Sequence, residues 1–71
     1  MDKEKFLEEL AEILEEDMVN EKDVLADFDA WDSLSILSII AYVQEHFKKQ
    51  LKNSDIRELE TVADLISLIE K

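Results

Sequence analysis

A chain of 71 residues can form one domain with a small hydrophobic core, and a domain of this size has little room for a buried catalytic cleft. Its 46% hydrophobic residues argue against a disordered chain, and its formal net charge of −11 argues against nucleic acid and anionic membrane surfaces as partners. Cysteine, glycine and proline are absent, which excludes disulfides and thiolate metal sites and leaves the turns to Asn, Asp, Ser and Lys.

The first predicted helix runs from Asp2 to about Glu16. Apolar residues recur along it at helical spacing and form one stripe, made of Phe6, Leu7, Leu10, Ile13 and Leu14. Glutamates cover the rest of its circumference. A solvated face explains them better than a binding surface for basic proteins, although both interpretations stand.

Residues 17 to 32 show no sustained period, and we predict a long loop whose apolar residues contact the core. These residues are Met18, Val19, Val24, Leu25, Phe28 and Trp31. A connection of this length is uncommon in a small domain unless it has a function, and this one leads to Ser33. We interpret Trp31 as a half-buried anchor beside that serine and not as a ligand-stacking residue.

The second predicted helix runs from Ser33 to Lys48. Asp32 and Ser33 are residue types that cap the first turn of a helix. The core face of this helix is formed by Ile36, Ile39, Ile40, Val43 and Phe47. Three further apolar residues lie off that face, on the flank that carries Ser33, and form a candidate contact surface: Leu34, Leu37 and Ala41.

Two shorter helices complete the prediction. The segment Asn53-Ser54-Asp55 indicates a turn into a short helix from about Ser54 to Leu59, capped by Ser54 or Asn53. A last helix begins after Thr61, where Asp64 occupies the position of the acid in a capping box.

The predicted fold is therefore all-α: a small antiparallel bundle of three main helices plus one short helix, in one domain spanning residues 1–71. Its predicted core consists of Phe6, Leu10, Leu14, Ile36, Ile40, Val43, Phe47, Val62, Leu65 and Ile66.

Catalytic and metal chemistry find little support in the sequence. The only histidine, His46, lies thirteen residues after Ser33 on one predicted helix, which separates the two side chains by roughly 20 Å and excludes a serine-histidine pair. We expect His46 to be solvated or half-exposed. No clustered His and Cys ligands, EF-hand spacing or glycine-rich phosphate loop is present, so no metal or nucleotide site is expected.

The tripeptide Asp32-Ser33-Leu34, preceded by Trp31 and followed by a mainly apolar helix, resembles the phosphopantetheine attachment site of the acyl carrier protein family. The acidic first helix, the long loop and the closing Thr61-Val62-Ala63-Asp64-Leu65 helix extend this resemblance over the whole chain. It implies a carrier without catalytic activity, which holds an acyl or aminoacyl group as a thioester on a phosphopantetheine arm taken from coenzyme A.

The resemblance also implies roles for individual residues. Ser33 would be the attachment point, Asp32 would contribute to recognition or magnesium-assisted transfer, and Leu34 would be a docking contact. Leu37 and Ala41 match positions on the partner-facing side of the family's second helix. The implied partners are a phosphopantetheinyl transferase and acyl-loading and acyl-transfer enzymes with basic patches.

Some residues depart from the pattern of familiar fatty-acid carriers. Ala30 stands where they have a glycine, Ser35 and Ser38 stand where they have acids, and no proline lies near Ser54. A dedicated carrier for another acyl or aminoacyl pathway is therefore as plausible as a fatty-acid carrier. The main alternative is a non-catalytic helical module that docks through its apolar second helix. In that case Asp32 and Ser33 would serve only as a helix cap. A small hydrolase that uses Ser33 is the third alternative.

The charge distribution predicts how partner enzymes associate with the chain. Of the 19 acidic residues, 13 lie in residues 1–32, beside only three lysines, whereas Glu45 is the only acid from Ser33 to Phe47. We expect docking on Leu34, Leu37 and Ala41, next to Trp31. Loop acids would steer the encounter, and they are Glu21, Asp23, Asp27, Asp29 and Asp32. A cytoplasmic location without membrane insertion is expected, because no signal-peptide segment or membrane-spanning run is present. The chain is also expected to be a monomer.

Overall fold

The computed structural model describes all 71 residues and confirms the all-α class. Its elements, in chain order, are α1 (Lys3–Ile13), a 3-10 turn (Leu25–Asp27), α2 (Ser33–Phe47), α3 (Asn53–Arg57) and α4 (Val62–Glu70). The only strand-like pairing is an isolated antiparallel bridge between Val24 and Thr61. All of the helices fall short of the length and hydrophobicity that a bilayer span requires.

Helix α1 ends earlier than predicted. It begins after Asp2, whose side chain accepts a hydrogen bond from the Lys5 N–H at 3.2 Å. The predicted end at Glu16 is wrong because Glu15 adopts a left-handed conformation with φ of 58°. The Glu16 N–H then donates to the Ala11 carbonyl at 2.8 Å, which closes the helix end. No glycine marks this position in the sequence, so the turn leaves no compositional signal.

The loop between α1 and α2 is attached to the core and to the start of α4. Val19 and Leu25 are buried, and the Leu25 N–H donates to the Glu60 carbonyl at 2.9 Å. The prediction that Met18 contacts the core is wrong, because the residue is 70% exposed. Residues 18–20 form no helix, and the burial of Val19 leaves its neighbour directed into solvent.

Fifteen buried apolar residues form one core, and they come from all four helices, from the loop between α1 and α2 and from the short connection between α2 and α3. Two predicted members, Ile40 and Phe47, are only half-buried at its edge, because Ile39 occupies the centre of the α2 stripe. The Phe47 ring lies against Phe6, with ring centroids 6.2 Å apart. The core also contains residues absent from the predicted set, namely Ala11, Val19, Leu25, Ile39, Leu51, Ile56 and Ile69.

Helix α3 begins one residue earlier than predicted and ends at Arg57. Its N-cap is Lys52, not Ser54 or Asn53, because the Asp55 carboxylate accepts the Lys52 N–H at 3.2 Å. Asn53 is already the first residue of the helix. The predicted end at Leu59 is wrong, and because the helix ends at Arg57, this residue lies in its last turn.

The predicted capping box at the start of α4 is confirmed. The Asp64 N–H donates to Thr61 Oγ1 at 3.3 Å, and Asp64 Oδ2 accepts the Thr61 N–H at 3.0 Å. Hydrogen bonds from the backbone N–H groups of Thr61 and Glu60 stabilise the charged carboxylate and hold the pKa of Asp64 below its ordinary value.

Candidate functional site

A reciprocal pair of hydrogen bonds sets the start of α2. Asp32 Oδ1 accepts the Ser35 N–H at 3.0 Å, and Ser35 Oγ accepts the Asp32 N–H at 3.0 Å. Ser35 therefore takes the role that glutamate or glutamine has in the usual capping box. From the sequence, Ser35 stood out only as a position where fatty-acid carriers have an acid, although its spacing of three residues from Asp32 was the available signal for a cap. Ser35 is buried, so its hydroxyl is committed to the fold.

The cap leaves Ser33 free for other chemistry. Ser33 is the first residue of α2 and is exposed. The Asp32 carboxylate accepts the N–H of Ser35, and the Asp32 carbonyl accepts the N–H of Ile36. The backbone N–H groups of Ser33 and Leu34 donate to no protein acceptor. Free N–H groups and the positive end of the helix dipole both favour an anion at this position.

Arg57 of α3 lies against Ser33. Its Nη2 donates a hydrogen bond to Ser33 Oγ at 3.2 Å, and its Nε donates to Asn53 Oδ1. Arg57 was not among the site residues predicted from the sequence. Arg57 and Ser33 are 24 positions apart on different helices, and no local pattern signals their contact.

The three apolar residues of the predicted contact surface are exposed on α2. Leu34 is 74% exposed, Leu37 is 55% exposed, and Ala41 also faces solvent. Trp31 is partly buried against the core just before the site, and its backbone N–H donates to the Phe28 carbonyl at 3.1 Å. The chain thus presents an uncovered apolar strip on the helix that starts at Ser33.

Exposed acidic residues lie in the loop that precedes α2 in the chain. Asp27, Asp29 and Asp32 are all exposed, and Glu45 is the only acid on α2. No cluster of three or more His, Cys, Asp or Glu side chains is arranged to hold a metal ion. His46 is exposed near the far end of α2, where its ring lies 4.3 Å from that of Tyr42, so it does not pair with Ser33.

Comparison with known proteins identifies relatives over nearly the whole chain. The family model described as "Phosphopantetheine attachment site" matches residues 4–69. The acyl carrier protein of Thermobifida fusca is 33% identical over 73 aligned positions, which cover 93% of this chain and 91% of that protein. The acyl carrier protein of Acidothermus cellulolyticus is 32% identical over 76 positions, which cover 97% and 89% of the two chains. No solved structure matches significantly.

Proposed function

Since the chain belongs to the phosphopantetheine-binding acyl carrier protein family, we propose that Ser33 is the residue to which its phosphopantetheine group is attached. Membership of this family confirms the predicted cofactor and the non-enzymatic role, because the family consists of carriers and not of enzymes. It also implies a phosphopantetheinyl transferase and acyl-handling enzymes as partners.

The exposed hydroxyl of Ser33 at the start of α2 is the observation that carries this proposal. The free N–H groups of Ser33 and Leu34 and the adjacent Arg57 guanidinium are donors that suit a phosphodiester. The other serines lack this combination. Ser35 is buried in the cap, Ser38 lies within α2, and Ser54 and Ser67 lie on the short helices.

In the attachment reaction the chain supplies only the nucleophile. Ser33 Oγ attacks the phosphorus on the phosphopantetheine side of the coenzyme A phosphoanhydride and loses its proton to the transferase. The P–O bond to Oγ forms as the anhydride bond breaks, and adenosine bisphosphate leaves with the electron pair. When bound, phosphopantetheine supplies a terminal thiol that holds a carboxylic acid as a thioester.

Asp32 is placed to assist this transfer. Its Oδ1 is held by the Ser35 N–H, whereas Oδ2 accepts no hydrogen bond from the chain. The cap therefore fixes the carboxylate beside Ser33 and leaves one oxygen available. We propose that this oxygen contributes to recognition by the transferase or binds the transferase's magnesium ion.

We propose that partners dock on Leu34, Leu37 and Ala41 and that the carried group is acyl or aminoacyl. Exposed leucines in a chain of net charge −11 offer apolar contact surface inside an acidic surround, which suits partners with basic patches. The proposal includes a cytoplasmic monomer, and the strongly acidic surface supports the monomeric state through repulsion between copies.

Incubation with coenzyme A and a broad-specificity phosphopantetheinyl transferase tests the attachment site. The wild-type chain should gain the mass of one phosphopantetheine group, and Ser33→Ala should gain nothing because the nucleophilic oxygen is gone. Ser38→Ala, also on exposed α2 surface, is the matched control and should be modified normally. A gain that persists in Ser33→Ala would reject the site, and no gain in any variant would favour the helical docking module.

The steering role of the loop predicts a kinetic effect. Asp27→Asn combined with Asp29→Asn should lower the association rate with the transferase by about threefold at low salt and flatten its salt dependence, because long-range attraction is reduced. Stopped-flow binding at several salt concentrations measures both quantities. A matched pair in α1, Glu8→Gln with Glu12→Gln, should change them less; the reverse ranking would place the docking surface elsewhere.

A further inference from the structure

We propose that Arg57 is a phosphate-binding residue, whose guanidinium holds the phosphodiester formed on Ser33 and thereby positions the base of the phosphopantetheine arm. The inference rests on Ser33 being the attachment point. It assigns a role in the modified protein to a residue on a different helix from the attachment site.

Geometry is the first argument. Arg57 Nη2 donates to Ser33 Oγ at 3.2 Å, and that same oxygen becomes the ester oxygen of the phosphodiester. The charged, non-bridging oxygens would be bonded to the phosphorus next to it. The guanidinium presents several donors in a fixed plane, which suits phosphate oxygens better than a single ammonium group does.

The anchoring of the arginine is the second argument. Arg57 Nε donates to Asn53 Oδ1, one turn earlier on α3, so the side chain is directed toward α2 by a partner on its own helix. Its Nη1 group has no acceptor within the chain. The guanidinium thus retains donors for an anion while one edge is held in place.

Charge is the third argument. Phosphopantetheinylation adds an anion beside Asp32, in a chain whose first 32 residues carry 13 acids and three lysines. This field opposes a further negative charge. Arg57 is the only cationic side chain hydrogen-bonded to Ser33, and it is the only arginine in the chain. It is therefore the local cation that can offset the added charge.

Because the chain has a single arginine, nuclear magnetic resonance can follow its side chain directly. A ¹H–¹⁵N spectrum contains one arginine Nε–H signal, which can be followed in the unmodified protein and in the phosphopantetheinylated protein, with intact mass verifying modification. We expect this signal to shift on modification and to exchange more slowly with water. In Ser33→Ala treated in the same way it should stay where it is.

Thermal unfolding of modified and unmodified variants provides the second readout. The change in unfolding midpoint on modification should be about 2 °C more favourable in the wild-type chain than in Arg57→Gln. Lys52→Gln, which removes the same charge at the α3 N-cap, should behave like wild type, and Arg57→Lys should fall between. Circular dichroism verifies that each variant is folded.

The outcomes separate this inference from the proposed function. Absence of the mass gain at Ser33 would overturn both. A normal mass gain with an unchanged Arg57 Nε–H signal, and with the same midpoint change in all variants, would overturn the role of Arg57 alone. If Arg57→Gln failed to fold, the signal in the wild-type chain would still decide the question.

Discussion

Replacing Leu25 by alanine is expected to lower the free energy of unfolding by about 2 to 5 kcal/mol, because it opens a cavity at a fully buried position. A domain of this length has a total stability of roughly 4 to 10 kcal/mol, so this one loop residue accounts for a large share. Leu25 sits in the 3-10 turn that joins the long loop to the residues before α4. Urea unfolding followed by circular dichroism measures the loss.

Met18→Ala is the matched control, since it removes a large apolar side chain from the same loop at a position that is 70% exposed. It should change stability by no more than about 0.5 kcal/mol. A Leu25→Ala variant as stable as Met18→Ala would show that the loop is not fixed to the core. The positioning of Ser33 at the end of this loop would then need another explanation.

Replacing Leu37 by alanine is expected to weaken binding of the transferase about tenfold, mainly through faster dissociation. Leu37 is 55% exposed in the free protein, so its truncation removes apolar contact surface from the complex without opening a core cavity. Surface plasmon resonance with the unmodified protein separates the two rate constants.

His46→Ala serves as the control on the same helix, because His46 is exposed but lies near the end of α2 farthest from Ser33. Its affinity should match that of the wild-type chain. Equal effects of the two substitutions, or an effect of Leu37→Ala confined to association, would contradict docking on the proposed strip.

Local signals in the sequence were sufficient for most of the fold. The cap at Asp32 and the 3.6-residue period of Ile36, Ile40, Val43 and Phe47 predicted α2 to within one residue, since only Lys48 leaves the helix by taking a left-handed conformation. The Thr61 and Asp64 pair likewise marked the start of α4. In both signals each residue lies within four positions of the next, so they need no tertiary information.

The remaining features depend on contacts that a local pattern does not encode. The left-handed conformation of Glu15 ends α1 without a glycine. The hydrogen bond from the Lys52 N–H to the Asp55 carboxylate places the start of α3 one residue before the predicted start. The approach of Arg57 to Ser33 requires the packing of α3 against α2. The proposed attachment serine could therefore be predicted from the Asp32-Ser33-Leu34 segment together with the resemblance of the whole chain, whereas its cationic neighbour could be identified only from the structure.

The location of the added mass within one peptide tests the central claim most directly. After treatment with coenzyme A and the transferase, trypsin should release residues 23–48, which contain Ser33, Ser35 and Ser38, between Lys22 and the bond after Lys48. Fragmentation of this peptide should place one phosphopantetheine group on Ser33 and leave the other two serines unmodified. A group on Ser35 or Ser38, or an unmodified peptide, would contradict the account.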